Sequence, residues 1–343
     1  GNKNLIINGA MQVAQRGTSN TSTGYSTVDR FEISSSGTDE AITQAQHALT
    51  SSDTGPWEKG FRYSYHMTNG NQTNGLGATD SLAIKQKIEA QNIATSGWNY
   101  NSTSSYITIS FWIRSSVAQN FHGYLKSQDT DFQHYAYETG SLTANTWTKI
   151  TKTIPGAANI TFNNDTGIGL IWEIVHMTGT DESGSVTLNQ WAAWNGSART
   201  PDATTTWWAT NDATLEITGV QLEVGDVATA YEHRLYGDEL AQCQRYFQIK
   251  RDGYCAGNGV GSTDISIGVP LCVPMRAAPS ITQFNAHRSG NQQRTATIHT
   301  VMYDDVNSCT MNVRTSGWGS ISDETVYNVN IHNNDSMFLD AEI

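Results

Sequence analysis

Charge is what this 343-residue sequence has least of. Asp, Glu, Lys and Arg make up 15% of it, where a globular domain usually carries about a quarter. The balance is acidic, with 20 Lys and Arg against 32 Asp and Glu, a formal charge of −12. That excludes nucleic acid as the main partner, because phosphate contacts need clustered Lys and Arg. The densest basic group, Arg245, Lys250 and Arg251, is too small to follow a phosphate backbone. No apolar run approaches the roughly 20 residues of a membrane helix, so no membrane insertion is expected. The apolar part of residues 1–8 is too short for a signal peptide. Cysteine is scarce: Cys243, Cys255, Cys272 and Cys309 all fall in the last third, with no C-x-x-C pair and no His at finger-like spacing. No zinc site is expected, and buried free thiols are. Catalytic motifs are missing too, with no H-E-x-x-H, no G-x-S-x-G and no P-loop. Gly257-Asn-Gly-Val-Gly261 has no following helix and makes no phosphate cradle. A repeat of 20–50 residues is absent, which weighs against solenoids and propellers.

What is present is polarity from Asn, Ser, Thr and Gly, together with 10 Trp and 14 Tyr. That many large rings do not fit a disordered chain. The composition reads as a folded, β-rich protein with an outward-facing surface. Strand patterns dominate the first two thirds, at 61–67, 106–114, 134–137, 146–154, 168–176 and 214–222. Turn clusters of Gly, Asn, Ser and Asp separate them. Residues 106–114 and 168–176 become continuously apolar, as central sandwich strands do. Asp238 is placed to cap a helix over 239–247. Tyr236, Leu240, Cys243 and Phe247 form one apolar stripe, read either as packing on its own domain or as a multichain neck. Strands resume at 264–270, 279–284, 295–302, 309–314 and 326–331. The expected fold is all-β: an antiparallel jelly-roll sandwich over 1–233, a connecting helix over 234–249 and a smaller β-sandwich domain over 250–343.

Four blocks carry a family resemblance. Asn4-Leu-Ile-Ile-Asn-Gly-Ala-Met-Gln-Val-Ala-Gln-Arg-Gly17 followed by Val28-Asp-Arg-Phe31 resembles the start of a domain widespread in bacteriophage tail fibre proteins. Gln221-Leu-Glu-Val-Gly225 leading to Ala230-Tyr-Glu-His-Arg234 is similar to its close. Glu239-Leu-Ala-Gln-Cys-Gln-Arg-Tyr-Phe247 resembles the segment that follows, and Pro274-Met-Arg-Ala-Ala-Pro279 a turn of their C-terminal β domain. The resemblance implies a jelly roll like a carbohydrate-binding module, in a homotrimeric virion protein. Such a protein is assembled in the host cytoplasm with other virion proteins and contacts a host-surface glycan outside the cell. An attachment region ahead of the domain, usual in such fibres, is not found before residue 4. A capsid decoration or head fibre is therefore the alternative expectation, and a polysaccharide depolymerase a minor one.

Sugar binding needs flat aromatic faces beside hydrogen-bonding groups. The candidates are the loop aromatics Trp57, Trp98, Tyr100, Trp194, Trp207 and Trp208. Trp207-Trp208 is preferred, because an extended chain would leave one of two consecutive rings accessible. Trp112, Trp147 and Trp172 are assigned to the sandwich core, and His134, His176 and His299 to packing within strands. No catalytic residue and no cofactor is expected. The resemblance allows a structural calcium, for which Asn163-Asn-Asp165, Asp181-Glu182 and Asp304-Asp305 offer oxygens.

Overall fold

The computed structural model describes residues 3–129, 131–284, 286–288, 292–294, 297–303 and 305–343. It divides into two compact units between Tyr236 and Gly237. The strands of the first unit are β1 (Ser19–Asn20), β2 (Glu32–Ser36), β3 (Thr43–Ala48), β4 (Tyr63–Thr68), β5 (Ser81–Glu89) and β6 (Tyr106–Ser115). They continue with β7 (Asn120–Ser127), β8 (Gln133–Ser141), β9 (Thr148–Pro155), β10 (Ile168–Thr178), β11 (Trp191–Ala193) and β12 (Thr214–Val224). Sheet I has the order β1-β3-β4-β12-β6-β9 and sheet II the order β11-β8-β7-β10-β5-β2, with every pairing antiparallel. From β4 onward the chain crosses repeatedly between the sheets, which is jelly-roll connectivity.

Strand parity explains which face is buried. In β6 the residues Ile107, Ile109, Phe111 and Ile113 are fully buried in the core, and Thr108, Ser110, Trp112 and Arg114 point the other way. Period-two alternation forces this division. In β10 it is Leu170, Trp172 and Ile174 that enter the core. The two sheets meet where the Phe111 ring lies 5.5 Å from Trp172. β12 changes parity midway, burying Leu215 and Ile217 and then Val220 and Leu222. A bulge between Thr218 and Gln221 supplies the extra residue. Its Gly219 has φ +63°, and a Cβ there would lie 2.6 Å from the Phe61 ring, so the turn requires glycine.

The first and second blocks of the family resemblance interlock. Asn4 donates to the Val220 carbonyl (3.0 Å) and its side-chain oxygen accepts from Leu222 N–H (3.0 Å). The Glu232 carboxylate accepts from Asn4 N–H (2.8 Å), and Glu232 N–H donates to Gln221 (2.8 Å). Residues 226–234 are thereby strapped along the outside of sheet I. Asn8 donates to the carbonyls of Val13 and Asp29, while Phe31 is fully buried and its ring meets Trp172 at 6.3 Å. These blocks close the sandwich.

Helix α1 spans Ala90–Ala94, α2 Thr206–Ala209 and α3 Tyr236–Gln244. Asp238 lies inside the first turn of α3 rather than capping it. Phe247 is not helical: it opens β13 (Phe247–Val260) and packs its ring on Phe338 at 5.6 Å. The stripe expected of a neck is therefore broken. Cys243 and Phe247 are buried in the single chain, Leu240 is half-buried, and Tyr236 is exposed.

The second unit is one continuous antiparallel sheet of β13, β14 (Asp264–Pro270), β15 (Ser280–Phe284), β16 (Ala286–Arg288), β17 (Gln292–Arg294), β18 (Thr297–Met302), β19 (Thr310–Ser316) and β20 (Val326–Asp340). Thr295 and Ala296, which begin the strand expected over 295–302, lie outside the described residues. The long partners β13 and β20 break register at Arg251/Gly253, where a bulge bends the pair. Ile265, Ile267, Val313, Trp318, Val329 and Leu339 form the core of this unit. None of the four cysteines forms a disulfide, but Cys272 and Cys309 are exposed, against the expectation of buried thiols. Among the described residues no helix is long and apolar enough to cross a membrane.

Candidate functional site

The outer face of sheet I carries the densest chemistry of the first unit, and its register lays out two rows. In one, His66 of β4 pairs with Glu216 of β12, which pairs with Arg114 of β6. In the other, Thr218 pairs with Trp112, and Trp112 pairs with Lys149 of β9. Trp112 is half-buried and outward-facing, not the core residue that the apolar run 106–114 suggests. It lines a cavity of about 350 Å³ between sheet I and the strap, together with Phe61, Tyr231, His233, Lys59 and Lys149. The Phe61 ring stands edge-on to Tyr231 at 4.8 Å, and His233 lies 4.9 Å from Tyr231. Indole and phenol rings beside two ammonium groups, an imidazole and the hydroxyls of Ser110 and Thr229 make a surface for a polar ligand with an apolar face.

Beside the cavity the first row is an ion network. Arg114 donates to Glu216 Oε1 (2.6 Å from Nη2) and to Asp53 Oδ1 (2.8 Å), and its guanidinium lies 4.7 Å from the Trp147 ring centre. Burial works against the Glu216 carboxylate. His66, the Ser64 hydroxyl and Arg114 outweigh it and hold the group far below the usual carboxylate range. Asp53 is likewise held low: burial is overcome by Thr50 N–H, the Trp147 indole and Arg114.

The expected sugar-binding set is dispersed by the fold. Trp207 and Trp208 are both fully buried, which overturns the expectation of an accessible ring. Their segment is the helical turn α2 instead of a strand. Asn69 holds that turn by donating to the carbonyls of Trp207 (3.1 Å), Trp208 (2.9 Å) and Thr210 (3.1 Å). Trp98 is buried as well, its indole donating to the Ser105 carbonyl, with Tyr100 half-buried between it and Phe162. Trp57 belongs to the aromatic cluster of sheet I, but the Arg62 guanidinium lies 3.7 Å over its ring.

Trp194 sits on the outer face of sheet II, in a second cavity of about 190 Å³ with Tyr124, Lys126, Glu173 and Arg199. Burial pushes the Glu173 carboxyl up, with Lys85, Tyr124 and Arg199 only partly offsetting it. The Lys126 ammonium lies 4.1 Å over the Trp194 ring. A sugar stacking there would first have to displace a cation.

Some of the oxygens offered for calcium have protein partners. Asp165 accepts from Gly167 N–H (2.9 Å) and Glu182 pairs with Arg199 (2.8 Å). Asp304 lies outside the described residues. Trp112 and Tyr231 are the site residues that sequence reasoning missed. The signal for Trp112 was strand parity in 106–114; Tyr231 lay in plain view within the second family block.

No family model and no curated protein matches the sequence. Among solved structures, the chain is similar to the enzymatically active domain of tailspike protein 4 from bacteriophage CBA120. That match has 12% identity and a TM-score of 0.35, over 65% of this chain and 21% of that one, so it spans about a fifth of that domain's length. The N-terminal cellulose-binding domain of Cellulomonas fimi β-1,4-glucanase C matches with 8% identity and a TM-score of 0.30, over 63% of this chain and 99% of that one. A family 11 carbohydrate-binding module from Clostridium thermocellum matches with 9% identity and a TM-score of 0.27, over 63% and 98%. At such distance these likenesses assign neither ligand nor activity to this chain.

Proposed function

We propose that this chain is a non-catalytic glycan-binding protein of a bacteriophage particle, a receptor-binding fibre or appendage that meets the host-surface glycan through its first unit. The observation that carries the reading is the cavity between sheet I and the strap. It offers the Trp112 ring for the C–H face of a sugar and surrounds it with hydroxyls, an imidazole and ammonium groups. Glycoside hydrolysis works through a pair of carboxyl groups flanking the scissile bond, and none lines this cavity. Its charged lining is Lys59 and Lys149, so a sugar bearing a carboxylate is the favoured ligand class, with affinity falling as salt rises. Single contacts of this size are weak, and useful adsorption comes from many copies on one particle.

The test is a binding titration of the whole chain against a panel of acidic and neutral oligosaccharides. Trp112→Ala is expected to weaken the best acidic ligand about tenfold, the worth of one aromatic stacking contact. Equal affinity in the wild type and the variant would remove the cavity from the reading. The virion role is tested separately, by competition of purified protein with phage adsorption and by antibody labelling of the particle. Label on the capsid lattice alone would replace the receptor-binding role with that of a decoration.

Assembly as a homotrimer belongs to the same proposal and rests on the family blocks, with the exposed Leu235 and Tyr236 as the apolar contacts it would cover. Light scattering is expected to give three chains per particle, and Leu235→Ser/Tyr236→Ser to give one. A monomeric wild type would end the trimer.

A further inference from the structure

His47, His66 and Glu216 stand on three neighbouring strands of sheet I, β3, β4 and β12. Their ligand atoms all lie within 4.8 Å of one another. Glu216 Oε2 is 3.2 Å from His47 Nδ1 and 3.4 Å from His66 Nδ1. Zinc binds imidazole nitrogen and carboxylate oxygen at about 2.0–2.2 Å, which sets neighbouring donors of a tetrahedral ion roughly 3.3 Å apart. Two of the three edges of that arrangement are already in place.

Two further observations bear on cation binding. His66 Nδ1 is buried and faces the same oxygen, Glu216 Oε2, that His47 Nδ1 meets. Both imidazoles thus converge on one carboxylate oxygen, as ligands of a shared ion do. The carboxylate is also oriented from behind: Arg114 holds Oε1 (2.6 and 3.1 Å) and the Ser64 hydroxyl donates to Oε2 (2.7 Å). Such outer partners fix the direction of a metal-binding carboxylate.

We propose that His47, His66 and Glu216 bind a first-row divalent cation, zinc as the type case. The fourth position opens on the exposed side of His47, for water or an oxygen of a ligand. Two imidazoles and one carboxylate are a borderline donor set that suits zinc. Calcium would require six to eight oxygens. The local charge is right for a dication, because Glu216 and Asp53 are balanced by Arg114 alone, leaving a net −1 before the ion arrives. Three strands of one sheet hold the ligands, so little ordering is required on binding. This site is separate from the glycan cavity and does not depend on it.

The experiment uses the whole, chelator-stripped chain without an affinity tag, carrying Cys272→Ser and Cys309→Ser so that the two exposed thiols do not take up metal. Zinc titration against a competing chromophoric chelator is expected to give one equivalent per chain. Cobalt is expected to give the visible bands of a four-coordinate ion. His47→Ala, at an exposed position where folding is not at stake, should weaken zinc by more than the ~10–100-fold that loss of an outer partner costs. His66→Gln should abolish the cobalt bands. No bound equivalent, or unchanged affinity in His47→Ala, would overturn the proposal. Calcium in excess should displace nothing.

Discussion

Acidification from pH 6.5 to pH 4 is expected to cost the first unit about 3 kcal/mol of stability through His176 alone, at about 1.36 kcal/mol for each pH unit. His176 is buried on β10 against the Trp207 ring at 5.3 Å, with the backbone of Ile174 and Leu82 as its polar neighbours. Burial pushes its pKa down from 6.5 to about 3, with the nearby backbone of Ile174 and Leu82 offsetting only part. Below pH 6.5 the unfolded chain therefore takes up a proton that the folded chain refuses. The stability is fully present above pH 6.5 and drains away as pH falls toward 3. His134 and His122, also held down by burial, act in the same direction. The depressed carboxylates Glu216, Asp53, Glu223 and Glu232 begin to contribute only below their ordinary range, near pH 4.5. In the interval from pH 6.5 to 4.5 histidine is opposed by Glu173, whose carboxyl, pushed up by burial, takes up its proton in the folded chain first, so the histidine part is isolated by substitution.

Urea unfolding followed by tryptophan fluorescence reports on this unit, because nine of the ten Trp precede residue 210. His176→Leu should reduce the slope of stability against pH in that interval by close to one proton, about 1.36 kcal/mol per unit. A slope unchanged by the substitution would mean that His176 becomes protonated in the folded state.

The architecture was legible where a single strand carries its own pattern. β6, β10, β12 and β14 were each readable from alternation or apolar runs, and the all-β class followed from them. The site was not legible, for two physical reasons. The first is parity. Trp112 sits in an apolar run but on the outward register, and only strict period-two counting from Ile107 separates it from the core. Trp207-Trp208 shows the reverse error, since consecutive rings split across two faces only in extended chain, and Asn69, 138 residues away, folds them into a turn. The second reason is distance along the chain. His47, His66 and Glu216 have no metal-like spacing, because strands β3, β4 and β12 become neighbours only through the jelly-roll crossings. The family blocks misled in a related way. Asn4, Gln221 and Glu232 clasp the segment around residue 4 to β12, a structural task, and apart from Tyr231 and His233 these blocks leave the lining of the cavity to other residues.

Arg114→Met is expected to cost about 3–5 kcal/mol, the range for stripping one partner from a buried ion pair. Glu216 and Asp53 side chains are only 3% and 9% exposed. The variant leaves both carboxylates without their cation and takes the guanidinium from over Trp147. Neither carboxylate can recover its hydration without opening the face of sheet I. At roughly 2–4 °C per kcal/mol for a unit of this size, the melting temperature should fall by about 10 °C. Adding Glu216→Gln to Arg114→Met removes one of the stranded charges and should restore part of the loss. The double-mutant cycle measured in a chelator-containing buffer would then report a coupling of about 1–3 kcal/mol. Arg199→Met provides the contrast: its pair with Glu182 is more open on both sides, 29% and 21% exposed, and should cost no more than about 1 kcal/mol. Equal, small losses in both variants would mean that water reaches the Arg114 row as freely as it reaches Arg199. A carboxylate solvated in that way would not hold the fixed orientation that cation binding at His47, His66 and Glu216 requires.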